Sequence, residues 1–254
     1  MFSDWPLFEL LLGAIACHDK VCYHAPVRAH TARVIEIQSA PEGFSAWLAC
    51  PAQAIPAAGQ YVLAVDPEDA FQPLPVPLFP VMVSKDGFLA ASPLEVAWAP
   101  GTILEIRGPL GRGFKLPPTA RNISLVGLGA STARLIPLIP SALDQGAAVA
   151  LFSDAPLPQL PSAVEAYPLS ALPELLSWAD FIAIDLPIAA LPELRTRLGL
   201  SAQARLPCLG QALLLGPMPC GGMAECGVCA VPGRRGWKLA CEHGPVFQLD
   251  EIKW

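Results

Sequence analysis

Four cysteines near the C-terminus constrain this chain more than any other feature. Cys220, Cys226, Cys229 and Cys241 follow the spacing C-x5-C-x2-C-x11-C, and the first three share one run of small residues, Cys220-Gly221-Gly222-Met223-Ala224-Glu225-Cys226-Gly227-Val228-Cys229. A backbone wrapping through such residues can turn N–H groups inward while three thiolates converge on one side. A fourth thiolate then returns from a later segment, Lys238-Leu239-Ala240-Cys241-Glu242. This is how protein ligands are set around a 2Fe–2S cluster. Arg234, Arg235 and Lys238, between the third and fourth cysteines, read as a hairpin turn. Structural zinc on the same four thiolates is one alternative, although zinc ribbons more often present two separate C-x2-C knuckles. Unliganded or disulfide-bonded thiols are another. Disulfides need an oxidising compartment, and the opening Met1-Phe2-Ser3-Asp4-Trp5 lacks the basic start of an export signal. A cytoplasmic protein is therefore expected.

The 254 residues allow two or three small domains with their own cores. With 53% hydrophobic and only 15% charged residues, part of the apolar surface is expected to need a partner to cover it. Net charge is −6 and no basic run exceeds Arg234-Arg235, so the electrostatic footprint of a nucleic-acid binder is absent. The apolar runs fall short of a bilayer span, and Pro137 and Pro140 interrupt the most apolar helix-like stretch. No membrane helix is expected. Neither a Ser-His-Asp set, paired carboxylates nor a Walker loop supports hydrolytic chemistry.

Residues 1–30 read as an N-terminal extension, with a short amphipathic helix followed by Cys17-His18 and Cys22-Tyr23-His24. The spacing of these four matches no common metal site. From 31 to 118, short strands alternate with turns: Ala32–Ile37, Ala46–Cys50, Gln60–Val65, Pro80–Ser84, Gly87–Ala91 and Thr102–Ile106. Six such strands at near-regular spacing predict a small antiparallel barrel. From 119 to 207 the period changes. Apolar strands at Asn122–Val126, Ala147–Phe152 and Asp180–Asp185 are interleaved with helical stretches to about Ala142, over Pro173–Ala179 and over Ala190–Leu198. That alternation predicts a Rossmann-like parallel sheet covered on both faces. Leu206–Leu215 is a last extended segment leading into the cysteine region, 208–254, read as a small 2Fe–2S domain. Gly127-Leu128-Gly129 ends the first apolar strand where such a sheet holds phosphate, but without a third glycine.

In its order of parts, from about Thr31 to Trp254, the chain resembles the electron-transfer subunit of two-subunit dihydroorotate dehydrogenases, within the ferredoxin reductase superfamily. The residues that carry this are Gly108-Pro109-Leu110-Gly111-Arg112-Gly113-Phe114, the Cys220–Cys229 loop and Cys241-Glu242-His243-Gly244-Pro245-Val246-Phe247, with Gly59-Gln60-Tyr61-Val62 and Phe71-Gln72-Pro73-Leu74 in support. The resemblance implies an oxidoreductase subunit of pyrimidine biosynthesis. FAD would lie on the barrel and α/β domain, electrons would enter from NADH through the flavin, and a cluster would relay them singly to a flavoprotein catalytic partner in a hetero-oligomer. It places Phe79, Val81, Ser92, Gly127 and Gly129 beside the flavin and nucleotide, and Cys220, Cys226, Cys229 and Cys241 on the cluster.

The sequence departs from that pattern at the nucleotide motifs. Where the family has Arg-Arg-Pro-x-Ser, this chain has Val76-Pro77-Leu78-Phe79-Pro80, which removes a bidentate phosphate clamp. The Gly-x-Gly-Thr pyrophosphate turn is reduced to Leu89-Ala90-Ala91-Ser92, and the Cys-Gly-Pro-x-Pro-Met nicotinamide signature to Ile184-Asp185-Leu186-Pro187-Ile188. Five residues separate Cys220 from Cys226 where the family has four. Weakened FAD binding and no unaided NADH oxidation are the expectations, which make the chain an accessory subunit rather than a self-sufficient enzyme. The alternative is a flavin-free iron–sulfur or zinc-bearing structural subunit on the same scaffold.

Overall fold

Strands that alternate buried and exposed residues build the first half of the molecule, as seen in a computed structural model that describes residues 29–40, 43–71, 74–91, 94 and 98–254. On β1 (Ala29–Ala40), Ala32 and Val34 are buried while Arg33 and Ile35 face out. On β7 (Ile103–Leu110), Leu104 and Ile106 are buried between exposed Ile103 and Glu105. These join β2 (Gly43–Ala49), β3 (Tyr61–Val65), β4 (Val76–Leu78), β5 (Pro80–Ser84) and β6 (Gly87–Ala90) in one seven-stranded sheet ordered β4-β3-β7-β1-β2-β6-β5, antiparallel throughout. The six expected strands are all present, and β4 is an addition. The expected barrel is not closed by hydrogen bonds among the described residues. Its end strands β4 and β5 are consecutive in the chain, linked through Phe79, yet they are unpaired with each other. Pro77 and Pro80 explain much of this, since neither has an N–H to give to a ladder. The cysteines and histidines at 17–24 lie outside the described residues, as does Ser92.

The second half is a six-stranded sheet ordered β10-β9-β8-β11-β12-β15, from β8 (Asn122–Gly127), β9 (Ala148–Phe152), β10 (Val164–Tyr167), β11 (Phe181–Pro187), β12 (Leu209–Leu215) and β15 (Val246–Gln248). All neighbours are parallel except β12 and β15. Burial on both faces accounts for the continuous apolar runs. Ile123, Leu125, Val149, Leu151, Phe181 and Ala183 point into one core, while Val126, Ala150, Phe152, Ile182, Ile184 and Leu186 point into another. Helical cover is short: α1 (Leu138–Asp144), α2 (Leu172–Leu175) and α3 (Leu194–Arg197) are one or two turns each, extended by 3-10 turns. Prolines at 137, 140, 173 and 192 keep them so.

Strand β3 couples the two halves. Its Val62 and Ala64 enter the core of the first sheet, whereas Tyr61 and Leu63 enter the core that underlies β11 and β12 and the cysteine region. The cysteine region carries the hairpin of β13 (Ala230–Gly233) and β14 (Gly236–Leu239), with Arg234 and Arg235 at its turn, and α4 (Ala240–His243). This segment does not stand apart, because β12 before it and β15 after it both belong to the six-stranded sheet.

Candidate functional site

The cysteine loop is a backbone coil of left-handed residues. Gly221 (φ 60°), Gly222 (φ 74°), Ala224 (φ 62°) and Gly227 (φ 68°) all have positive φ, and Ala224 is the one non-glycine of this kind among the described residues. Such runs turn successive N–H groups toward one concave side, a geometry that suits anions and iron–sulfur centres. The backbone N–H groups of Cys226, Glu225 and Met223 favour the Cys220 thiolate and that of Ala224 favours the Cys241 thiolate, while Met223 N–H donates to the Cys220 carbonyl at 3.4 Å. Arg107 on β7 pins the loop from below by donating to the Gly221 carbonyl.

The four thiols sit in different environments. Cys226 is exposed and Cys220 half-buried, while Cys229 and Cys241 are buried with their sulfurs 3.4 Å apart. Partial burial works against the Cys220 thiolate, but the hydrogen bonds from Cys226, Glu225 and Met223 outweigh it and lower the thiol to about 6. Burial, then the hydrogen bond and charge of Cys229, push Cys241 up to about 12. A shared cation would resolve that conflict, since a metal-bound thiol is deprotonated outright. Among the described residues, no group of three or more His, Cys, Asp or Glu side chains is arranged to hold a single ion. The direct contact between thiols is that of Cys229 with Cys241, while Cys226 acts on Cys220 by favouring its thiolate.

Residues that sequence reasoning did not single out complete the site. Tyr61 is fully buried, its ring against Phe79 at 5.5 Å between centroids, and its hydroxyl has no hydrogen-bond partner among the described residues. Burial raises its hydroxyl, as do the nearby thiols of Cys241, Cys229 and Cys220, with Arg107 opposing. The junction around it draws together three of the motifs noted above. Arg112 donates its N–H to the Gly244 carbonyl at 2.6 Å, Phe114 to Ala58 at 2.9 Å, and Gln60 Nε2 to Gly111 at 3.1 Å.

The nucleotide motifs are differently placed. Phe79 is enclosed, its carbonyl accepting from Ala91 at 2.7 Å, and Val81 is half-buried against the same core. Pro77 lies exposed on β4 with no guanidinium in that stretch. Gly127 and Gly129 do stand at the carboxyl end of β8. A Cβ at Gly127 would meet Thr132 Cγ2 at 2.7 Å, and Leu128 donates to the Asp185 carbonyl at 2.8 Å. The chain then enters a 3-10 turn at Ala133–Leu135, and α1 starts only at Leu138. Arg134 is buried there and bonded through Nε to Asp185 Oδ2 at 2.9 Å, so the end of the sheet is occupied by an internal ion pair. The buried guanidinium at this turn is thus engaged by Asp185, and a 3-10 turn rather than the first turn of α1 follows the glycines. No local signal could have revealed the pair, whose members are 51 residues apart.

No family model matches the chain, and no curated protein matches it in sequence. Solved structures do match in shape. An NADH-dependent reduced ferredoxin–NADP oxidoreductase, described for flavin-based electron bifurcation, aligns with TM-score 0.70 at 19% identity over 87% of this chain and 89% of that one. A ferredoxin reductase of carbazole 1,9a-dioxygenase gives TM-score 0.55 at 16% identity over 70% and 67%. The FAD/NAD-binding domain of nitric oxide dioxygenase from Vibrio cholerae O1 biovar El Tor gives 0.52 at 14% over 74% and 99%. An antiparallel sheet leading into a mainly parallel one, shared with these proteins over most of its length, gives this chain the fold of the ferredoxin reductases.

Proposed function

We propose that the chain is an electron-transfer protein in which Cys220, Cys226, Cys229 and Cys241 hold one 2Fe–2S cluster. The observation that carries this reading is the loop itself: Cys220, Cys226 and Cys229 on a coil of left-handed residues fixed by Arg107, with the Cys241 sulfur brought to 3.4 Å from that of Cys229. When bound, such a cluster supplies one-electron carriage. The residues around it position the thiolates, offset their charge through N–H dipoles and keep one side dry through Cys229, Val231 and Tyr61. The role resembles that of the electron-transfer subunit of dihydroorotate dehydrogenases, with a flavoprotein catalytic subunit as redox partner. The meeting of the Gly59, Gly108 and Cys241 motifs at one junction supports that likeness.

The flavin part of the role is weakened here. The phosphate clamp is absent from Val76–Pro80, and the Arg134–Asp185 pair fills the strand ends where a nicotinamide nucleotide would lie. These features favour a relay that takes electrons from a partner's flavin over one that oxidises NADH unaided. Anaerobic purification of the full chain tests the proposal. About two irons and two sulfides per chain, with a rhombic paramagnetic signal after reduction, are expected. Stoichiometric zinc without iron would overturn it. Absorbance separately reports any retained flavin.

A further inference from the structure

The Tyr61 hydroxyl is the feature of this junction that the fold leaves unexplained. A buried polar group without a partner is rare, and each one calls for a reason. Tyr61 is fully enclosed on β3, yet its oxygen neither donates to nor accepts from any group among the described residues. Its ring is held rather than loose. Phe79 packs on one side, and a Cβ built at Gly111 would lie 3.1 Å from its Cε1. Its hydroxyl points to the cysteine loop, where a Cβ at Gly222 would be 3.4 Å from the oxygen. Cys241, Cys229 and Cys220 all bear on it electrostatically. The loop offers a hydroxyl two kinds of acceptor, backbone carbonyls and sulfurs, and none of its carbonyls accepts from Tyr61. Sulfur bound to iron accepts hydrogen bonds, and these bonds shift the potential of such clusters.

We infer that Tyr61 donates its hydroxyl hydrogen bond to the sulfur of the bound cluster or of its ligands, and so sets the cluster's potential from the first sheet. This rests on the cluster reading above. Tyr61 is a positioning residue: reduction adds one electron to the iron pair, and no bond to Tyr61 is made or broken. A donor to sulfur favours the more negative, reduced form, so losing it makes reduction harder. The bond also ties β3 to the cysteine loop, through which the redox state would be felt in the first sheet.

The test compares the full-length wild type with Tyr61→Phe and with Leu63→Val, which trims the neighbouring contact to Gly222 and keeps the hydroxyl. In metal-free protein, Tyr61→Phe should be at least as stable as wild type, because it removes an unpartnered oxygen; lower stability would show that the hydroxyl is bonded within the protein and overturn the inference. After anaerobic reconstitution, iron and sulfide content should be equal in all three. Tyr61→Phe alone should lose an exchangeable proton coupling in pulsed paramagnetic resonance. Its potential should fall, by up to about tenfold in the one-electron equilibrium constant or ~59 mV. Coincident potentials and an unchanged proton coupling would overturn the inference while leaving the cluster intact, as would an equal shift in Leu63→Val. A wild type that takes up no iron would overturn the cluster reading, and this inference with it.

Discussion

At Arg134 and Asp185 the chain places a buried ion pair at the carboxyl end of the parallel sheet. Both side chains are buried, Asp185 more deeply, and Asp185 Oδ1 has no partner among the described residues. Burial raises the Asp185 carboxyl above its ordinary value, and the Arg134 guanidinium pulls it back. Replacing Arg134 with Met leaves burial unopposed and raises it further. A carboxyl whose folded value lies above its unfolded one contributes stability that is complete below the unfolded value and is lost as pH rises through the folded value. Arg134→Met should therefore approach wild-type stability in acidic buffer. It should fall behind as pH rises, toward the roughly 3–5 kcal/mol typical of an orphaned buried charge. Denaturant midpoints at several pH values check this, and a loss independent of pH would show that packing dominates. Asp180 behaves oppositely. Its carboxylate accepts the N–H groups of Arg121 and Asn122 at 2.8 and 2.9 Å, which lower it. Its contribution is present above the unfolded value and lost as pH falls through the folded one, so Asp180→Ala should matter at neutral pH and not in acid.

Among the elements, the cysteine loop and the hairpin after it separate backbone strain from site chemistry. Gly222 (φ 74°) and Gly236 (φ 87°) are both left-handed, but a Cβ at Gly236 meets open space while one at Gly222 meets Tyr61 and Leu63. Alanine at either position carries the left-handed cost of about 1–2 kcal/mol. Because Gly222 lies in the loop between Cys220 and Cys226 and Gly236 does not, Gly222→Ala should also lower iron per chain, and Gly236→Ala should not; equal iron in both would show that the loop absorbs the backbone strain. The elements differ in how far sequence revealed them. Strands β8, β9 and β11 were legible because both their faces are buried, which leaves an unbroken apolar run. Strand β10 was not, since of Val164-Glu165-Ala166-Tyr167 only Val164 is buried and the strand lies at an edge. The hairpin turn at Arg234-Arg235 and the coiled backbone of the cysteine loop were legible from small residues and spacing. Tyr61 and Arg134 were not, because their significance depends on neighbours far away in the chain. Barrel closure failed for a local reason that was visible in Pro77 and Pro80 but outweighed by the regular spacing of strands.

For the whole molecule, the apolar composition is only partly absorbed by the cores. Phe71 is 96% exposed, and Leu74 and Met223, each about half exposed, line a groove of about 420 Å³ that also takes in Pro75, Arg107, Pro219 and Cys220. If Cys220 holds the proposed cluster, an apolar groove that runs onto it suits close approach by a second redox protein, because electrons cross short distances best and a covered loop excludes water. The groove carries its own charge in Glu105 and Arg107, which would orient a partner rather than hold it, while Arg234 at the hairpin turn lines a different cavity. Among the described residues no helix is long and apolar enough to cross a membrane, so the exposed surface is not explained by a membrane-spanning helix. Co-expression with a flavoprotein of the dihydroorotate dehydrogenase type should yield a complex. Leu74→Glu and Met223→Glu together should weaken it at least tenfold, about 1.4 kcal/mol, without changing iron content. A chain that is monomeric alone, binds no such flavoprotein, and is unchanged by the groove substitutions would show that the apolar surface is tolerated rather than used.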